Sequence, residues 1–394
     1  MIKKLISNVL VAAMIVTTLC GCNKTSNTAD SGSQSPVEES FVSDQRLTDG
    51  RSIIGISMPD QLLERWNRDG NFLKAEFEKR GYEVILSFAH NLIDKQIDGI
   101  RQMIAEGADL IVVSAVDGAA LSNVLEEANN SNVKIIAYDR LLMDTDVVDY
   151  YVSYDNYMVG KLQAGYIIDK LALDDFSDTR TIEFISGDTV DNNARYYYNG
   201  AMDTLRPYIN SGRLKVVSGQ TGFYETATSQ WSTSLAQQCL HIILNSYYIS
   251  NQLDAILCAN DSTALGAANA IDSDYSHSNK VIITGQDADI GNVYNIIDGK
   301  QSMTVFKDLT RESLVTVDLA TAILEGKIPD ESLIDDSNWD FECKYDTSTY
   351  NNGKKVVTSY LLIPIVVDSD NLQQELFDKG YYTINSGGLI VTTE

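Results

Sequence analysis

The chain has 394 residues, 44% of them hydrophobic, and a formal net charge of −25. That length allows two domains of ordinary size, and the hydrophobic fraction is that of a globular protein. The acidity argues against a nucleic acid or other polyanion as partner.

Residues 1–21 read as a secretory signal peptide, with Lys3 and Lys4 ahead of an apolar run from Val9 to Leu19. That run is too short to span a bilayer comfortably. Leu19-Cys20-Gly21-Cys22 closes it as a lipobox. Resemblance to lipoprotein leaders implies cleavage before Cys22 and lipidation of its sulfur, so that acyl chains anchor the protein without a spanning helix. Residues 22–50, rich in Ser, Thr, Asn, Asp and Gly, bury too little apolar surface to offset their ordering entropy and read as a tether. Loss of Lys3 and Lys4 makes the mature chain more acidic still, which suits a body that must not adhere to an anionic membrane.

From Arg51 strands and helices alternate. SIIGISM (52–58) reads as a buried strand, and ERWNRDGNFLKAEFEKRG (64–81) as an amphipathic helix closed by glycine. YEVILSFA (82–89), ADLIVVSA (108–115), VKIIAYD (133–139) and YYVSYD (150–155) follow as strands, with helices over 93–107 and 118–132. A second run begins at 158: helices over 158–171, 193–212, 233–249, 262–273 and 290–300, and strands over 181–187, 214–220, 254–259 and 281–287. The tail holds the strand SMTVFKD (302–308), a helix over 311–326, an irregular acidic stretch near 335–352, and one strand TSYLLIPIVV (358–367). Such alternation implies right-handed βαβ crossovers and parallel sheets covered on both faces. Two such runs make two Rossmann-like lobes the natural α/β architecture.

The cysteines left after the leader and Cys22 are Cys239, Cys258 and Cys343. Their odd number forbids complete pairing, no CxxC or His-rich spacing suggests a metal, and no cofactor is expected. No structural disulfide is expected, with a Cys239–Cys343 pair the remaining alternative.

In open parallel sheets ligands bind beyond the carboxyl ends of the strands. The residues there are Arg65 and Trp66, Asp139 and Arg140, Asp191, Asn192 and Asn193, Asn260 and Asp261, Asp287, and Lys307; Trp231 precedes another helix. A helix N-cap would explain any one of these aspartates. It would not also bring amides, cations and indoles to the same edge. Sugar hydroxyls both donate and accept, so carboxylates, amides and basic groups suit them, while indole faces suit the C–H faces of a sugar ring. No GxxxxGK[ST] loop is present for a phosphate. An amino acid held by Arg140 and Asp287 is the other ligand class these residues allow.

ERWNRDG (64–70), KIIAYDRL (134–141), SYDN (153–156), DNNA (191–194), NDSTALGA (260–267), GQDAD (285–289), TVFK (304–307) and SYLLIPIVV (359–367) carry a resemblance. From about Ser52 to Tyr382 the chain resembles the type I periplasmic binding proteins of ABC sugar transporters, in the xylose-binding and multiple-sugar-binding subgroup. The resemblance implies sugar contacts from Arg65, Trp66, Asp139, Arg140, Asp191, Asn193, Trp231, Asn260, Asp287 and Lys307. It implies three crossings between lobes, near 153–156, 304–307 and 357–360. The first lobe then comprises 51–153 and 307–357, and the second 157–304 and 358–394, with 334–350 longer than the family usually has. The implied function is that of a monomeric, non-enzymatic lipoprotein on the outer face of a membrane. It would deliver a monosaccharide to an ABC permease, with xylose ahead of glucose, galactose and arabinose. Docking on a membrane histidine kinase or chemoreceptor is the alternative partner. A glycosidase has little support, because each pocket aspartate has a neighbouring Asn, Arg or Lys partner in the family pattern.

Overall fold

The computed structural model describes residues 50–175 and 178–393; the leader and Cys22 lie outside them. In chain order the first lobe supplies β1 (Ile53–Met58), α1 (Glu64–Lys79), β2 (Glu83–Phe88), α2 (Ile93–Ala105), β3 (Leu110–Val113), α3 (Ser122–Asn130), β4 (Lys134–Tyr138) and β5 (Tyr150–Tyr154). The second supplies α4 (Asn156–Leu171), β6 (Arg180–Ile185), α5 (Asn192–Asn210), β7 (Leu214–Lys215), α6 (Phe223–Thr226), α7 (Thr233–Tyr247), β8 (Ala255–Cys258), α8 (Asp261–Asp274), β9 (Ile282–Ile283), α9 (Ile290–Ile297) and β10 (Met303–Phe306). Next come α10 (Leu309–Leu324), α11 (Ser332–Asp336), β11 (Cys343–Asp346), β12 (Ser359–Leu362), β13 (Ile365–Asp368), β14 (Tyr382–Ile384) and β15 (Ile390–Thr392).

Seven strands form the first sheet in the order β11-β12-β5-β4-β3-β1-β2, parallel except for the β11 edge. Its side chains divide with the period of two that a strand imposes. Ile54, Ile56, Leu110, Val112 and Ile136 pack with Leu73 and Phe77 of α1 and Val315 and Leu319 of α10. Ile111, Val113, Ile135 and Ala137 face Ile100 and Met103 of α2 and Val124 of α3. Burial on both faces is why these strands read as unbroken Ile/Val/Leu runs. The second sheet has the order β7-β6-β8-β9. A parallel bridge from Gln286 to Val305 leads on to β10, which pairs antiparallel with β13.

Two expectations are corrected. The apolar run 358–367 is two strands: β12 pairs with β5 in the first sheet, and β13 pairs with β10 beyond it. The third crossing therefore lies at Ile363–Pro364 and not at 357–360, because proline has no N–H for a ladder and interrupts the run. The stretch 335–352 is irregular over most of its length but not throughout, since it contains the end of α11 and all of β11. Trp339 and Phe341 stack beside it with centroids 5.6 Å apart, and the Trp339 Nε1 donates to Asp318 at 2.8 Å. Cys239, Cys258 and Cys343 are all unpaired. No helix among the described residues is long and apolar enough to cross a membrane.

Candidate functional site

Strand tips from both sheets meet in a cleft lined by side chains of both lobes. Arg65, Trp66, Asp139, Arg140, Asp191, Trp231, Asn260, Asp287 and Lys307 all line it. Asn193 stands one layer behind, where its Nδ2 donates to the Asp139 main-chain oxygen at 2.7 Å and its Oδ1 accepts from Asn156 at 3.0 Å.

Asp139 is the hub. Its Oδ2 lies 2.9 Å from Arg65 Nη1 and 3.3 Å from Lys307 Nζ. Asp287 Oδ1 is the second shared anion, 3.2 Å from Lys307 Nζ and 3.4 Å from Arg65 Nη1. Arg140 Nε lies 2.9 Å from Asp191 Oδ2 in an ion-pair contact without hydrogen-bond alignment, and Nη1 of Arg140 donates to the Ala115 carbonyl at 2.8 Å. Arg65 and Arg140 reach from the first lobe to Asp287 and Asp191 of the second, so the charges span the cleft. Burial alone would raise the Asp139 carboxyl, but Arg65, Lys307 and Arg140 together hold it below the ordinary value. Burial and Arg65 oppose the charge on Lys307, and Asp139 and Asp287 outweigh them, so its pKa rises and the ammonium persists.

The backbone at these tips is bent into the left-handed region, with φ of 55° at Asp139, 99° at Asp287 and 53° at Trp231. Such positions cost about 1–3 kcal/mol each for a non-glycine residue and need a surrounding frame. At Asp139 the frame is polar: its carbonyl accepts from Tyr151 Oη at 2.5 Å, Ser153 Oγ at 3.1 Å and Asn193. Both indoles are almost wholly buried, Trp66 at 3% exposure and Trp231 at 5%. The guanidinium carbons of Arg65 and Arg140 lie 4.6 and 4.9 Å from the Trp66 ring centroid, so that ring carries cation–π contacts as well. Trp231 rests on Gly187, where a Cβ would come within 2.0 Å of its Cη2.

Two predicted residues also cap helices. Asn260 Oδ1 accepts from Thr263 N at 3.0 Å, which leaves its amide N–H groups unused by the cap. Asp191 Oδ1 accepts from Asn193 N at 3.0 Å while its Oδ2 meets Arg140. Capping and facing the cleft are therefore compatible uses of one side chain.

Sequence reasoning passed over Leu63, Tyr197, Ser262, Gln286 and Asp289, which also line the cleft. Tyr197 follows Asn193 by four residues on α5 and shares its face, a readable signal. Its hydroxyl accepts from Lys307 Nζ at 3.5 Å, and its ring meets Trp231 edge-on at 6.3 Å. Gln286 and Asp289 sit within GQDAD itself. Asp69, four residues after Arg65 on α1, was readable in the same way, whereas Glu312 had no signal; they hold Arg65 from behind, at 2.9 Å to Nε and 3.1 Å to Nη2. Among the described residues no three His, Cys, Asp or Glu side chains converge as a metal site.

Carboxyls without full compensation set a pH dependence. Burial, and then Asp289, push Asp261 well above the ordinary value; burial, Asp287 and Glu64 do the same to Asp289; burial and Asp139 raise Glu312. A carboxyl with a raised folded pKa holds its proton more tightly folded than unfolded. Its contribution is full below the unfolded value and is lost as pH rises through the folded one. The melting temperature is expected to fall as pH rises over the window above the ordinary carboxylate range, and Asp289→Asn to flatten that slope. A melting temperature that climbs with pH across this window would contradict the assignment. The depressed Asp139 acts in the opposite sense, and only below the ordinary carboxylate range.

A family model described as a periplasmic binding protein domain matches residues 54–328. The multiple sugar-binding periplasmic protein SbpA of Azospirillum brasilense is 38% identical over 340 residues, covering 86% of this chain and 91% of that one. The D-xylose-binding periplasmic protein of Escherichia coli is 34% identical over 330 residues, covering 84% and 90%. A crystal structure of an ABC transporter solute binding protein from Clostridium phytofermentans with bound β-D-glucose has a TM-score of 0.79 and 42% identity, covering 84% of this chain and 98% of that one.

Proposed function

This chain belongs to the periplasmic binding protein family, and we propose that it is the receptor of an ABC importer for a neutral aldopyranose of the glucose and xylose type. The observation that carries this reading is the convergence of Asp139, Arg65 and Arg140 from one lobe with Asp191, Asn260 and Asp287 from the other, between two indoles. Each sugar hydroxyl donates once and accepts up to twice, so it is satisfied by a carboxylate on one side and a cation or amide on the other. Xylose differs from glucose only in lacking the hydroxymethyl group, and proteins naming both sugars are among the relatives above.

Ligand entering the open form binds one lobe, and closure adds the hydrogen bonds of the other. The sugar thus shifts the population toward the closed form by its differential affinity for the two. A permease that docks on the closed surface would select loaded receptors. Lipidation of Cys22 would keep the receptor at the membrane, where a freely diffusing one would be lost from an unenclosed surface.

Titration calorimetry against aldopentoses and aldohexoses tests the reading. D-Glucose or D-xylose is expected to bind, and Arg140→Ala or Asp287→Ala to weaken binding at least tenfold with the fold retained. No heat from any of these sugars, or unchanged affinity in both variants, would overturn it.

A further inference from the structure

We propose that Gln286 is a specificity-determining contact of the cleft, its side-chain amide exchanging hydrogen bonds with a single hydroxyl of the bound sugar. The inference rests on the reading of the cleft as a monosaccharide site.

Gln286 follows β9, is 2% exposed, and lines the cleft beside Asp287. Its main chain is committed to the fold: the carbonyl accepts from Asp261 N at 2.9 Å, and the residue bridges to Val305. Its side chain is not. The buried Oε1 has no hydrogen-bond partner among the described residues. Other buried glutamines are used differently. Gln96 gives Nε2 to Ser57 Oγ and the Ser114 carbonyl, and its Oε1 accepts from Val116 N at 2.7 Å. Gln301 gives Nε2 to Asp261 and the Met303 carbonyl, and its Oε1 accepts from Asn292 at 2.7 Å. Gln163 also has an unpartnered Oε1, but its Nε2 is bound to main-chain carbonyls, and it does not line the cleft.

A buried amide oxygen without a donor carries an uncompensated desolvation cost. Folds tolerate such groups where a ligand completes them. Neither Asp287 nor Asp289 is hydrogen-bonded to Oε1, and a carboxylate only accepts, so an ionised neighbour cannot serve it. A carboxylate or phosphate on a ligand fails for the same reason. A hydroxyl succeeds, since its proton goes to Oε1 and its lone pairs face Nε2. The amide therefore reads the presence of one hydroxyl, and a sugar lacking that group leaves Oε1 orphaned again.

The test pairs Gln286→Leu with deoxy sugars. Calorimetry is run on the unchanged protein and the variant with D-glucose and its 2-, 3-, 4- and 6-deoxy analogues. The unchanged protein is expected to lose at least tenfold in affinity for one analogue that the variant no longer distinguishes from glucose, while its other ratios persist. Without sugar, Gln286→Leu is expected to melt at or above the original temperature, because it removes a buried unpaired group. An unaltered affinity and deoxy profile in the variant would overturn the proposal. So would a uniform loss across all analogues with a lowered melting temperature, which marks a packing role. If the unchanged protein binds none of these sugars or D-xylose, the reading of the cleft itself fails and this inference with it.

Discussion

Asp139→Ala is expected to weaken binding of D-glucose or D-xylose by about a hundredfold or more, equivalent to about 2.8 kcal/mol, and to lower the melting temperature as well. The carboxylate is shared by Arg65 at 2.9 Å and Lys307 at 3.3 Å. Without it, two buried cations keep Asp287 as their one common counter-ion. Removing one partner from a buried ionic cluster typically costs about 3–5 kcal/mol, because the remaining charge stays desolvated. Arg65 retains Asp69 and Glu312, so the penalty falls mainly on Lys307. Asp139→Asn keeps the shape and one acceptor and is expected to fall between the two proteins in affinity. Calorimetry with a thermal melt separates the losses, and two variants that bind like the parent would remove Asp139 from the site.

Gly160→Ala is expected to be the most disruptive single methyl addition on α4. A Cβ there would stand 1.9 Å from the Tyr197 carbonyl oxygen and 2.7 Å from Ala201 N. Gly200 meets the same helix pair from the other side, its Cβ position 2.0 Å from the Tyr157 carbonyl. These are main-chain atoms, so relief requires moving α4 and α5 apart. Overpacking of this kind costs about 1–3 kcal/mol or more. Because α5 carries Asn193 and Tyr197, sugar affinity is expected to fall together with stability. Gly165→Ala on the same helix provides the contrast: its Cβ meets nothing within 4 Å, and the change should stabilise by about 0.5–1 kcal/mol. Thermal melts that rank these two substitutions equally would contradict the close crossing.

Much of the first sheet was legible because its strands are buried on both faces and announce themselves as apolar runs, as IIGISM and KIIAY do. Strand tips followed by polar residues then marked the edge where nine of the ten predicted residues line one cleft. The failures were of partnership. Nothing within TSYLLIPIVV says that its halves belong to different sheets except Pro364, which lacks the N–H that a continuing ladder needs. Likewise CKYD becomes an edge strand only because β12 offers it a free ladder.

The amino-acid order alone determined the α/β alternation, the polar strand tips and the family, since these depend on periodicity and on short motifs that each segment carries by itself. Tertiary structure decided which groups share a charge. Arg65 lies 247 residues from Glu312, and Lys307 lies 168 from Asp139. It also decided which buried amide is left to face the cleft. Hydrogen bonds and ion pairs act over about 3 Å, and only the folded chain brings such distant residues within that reach.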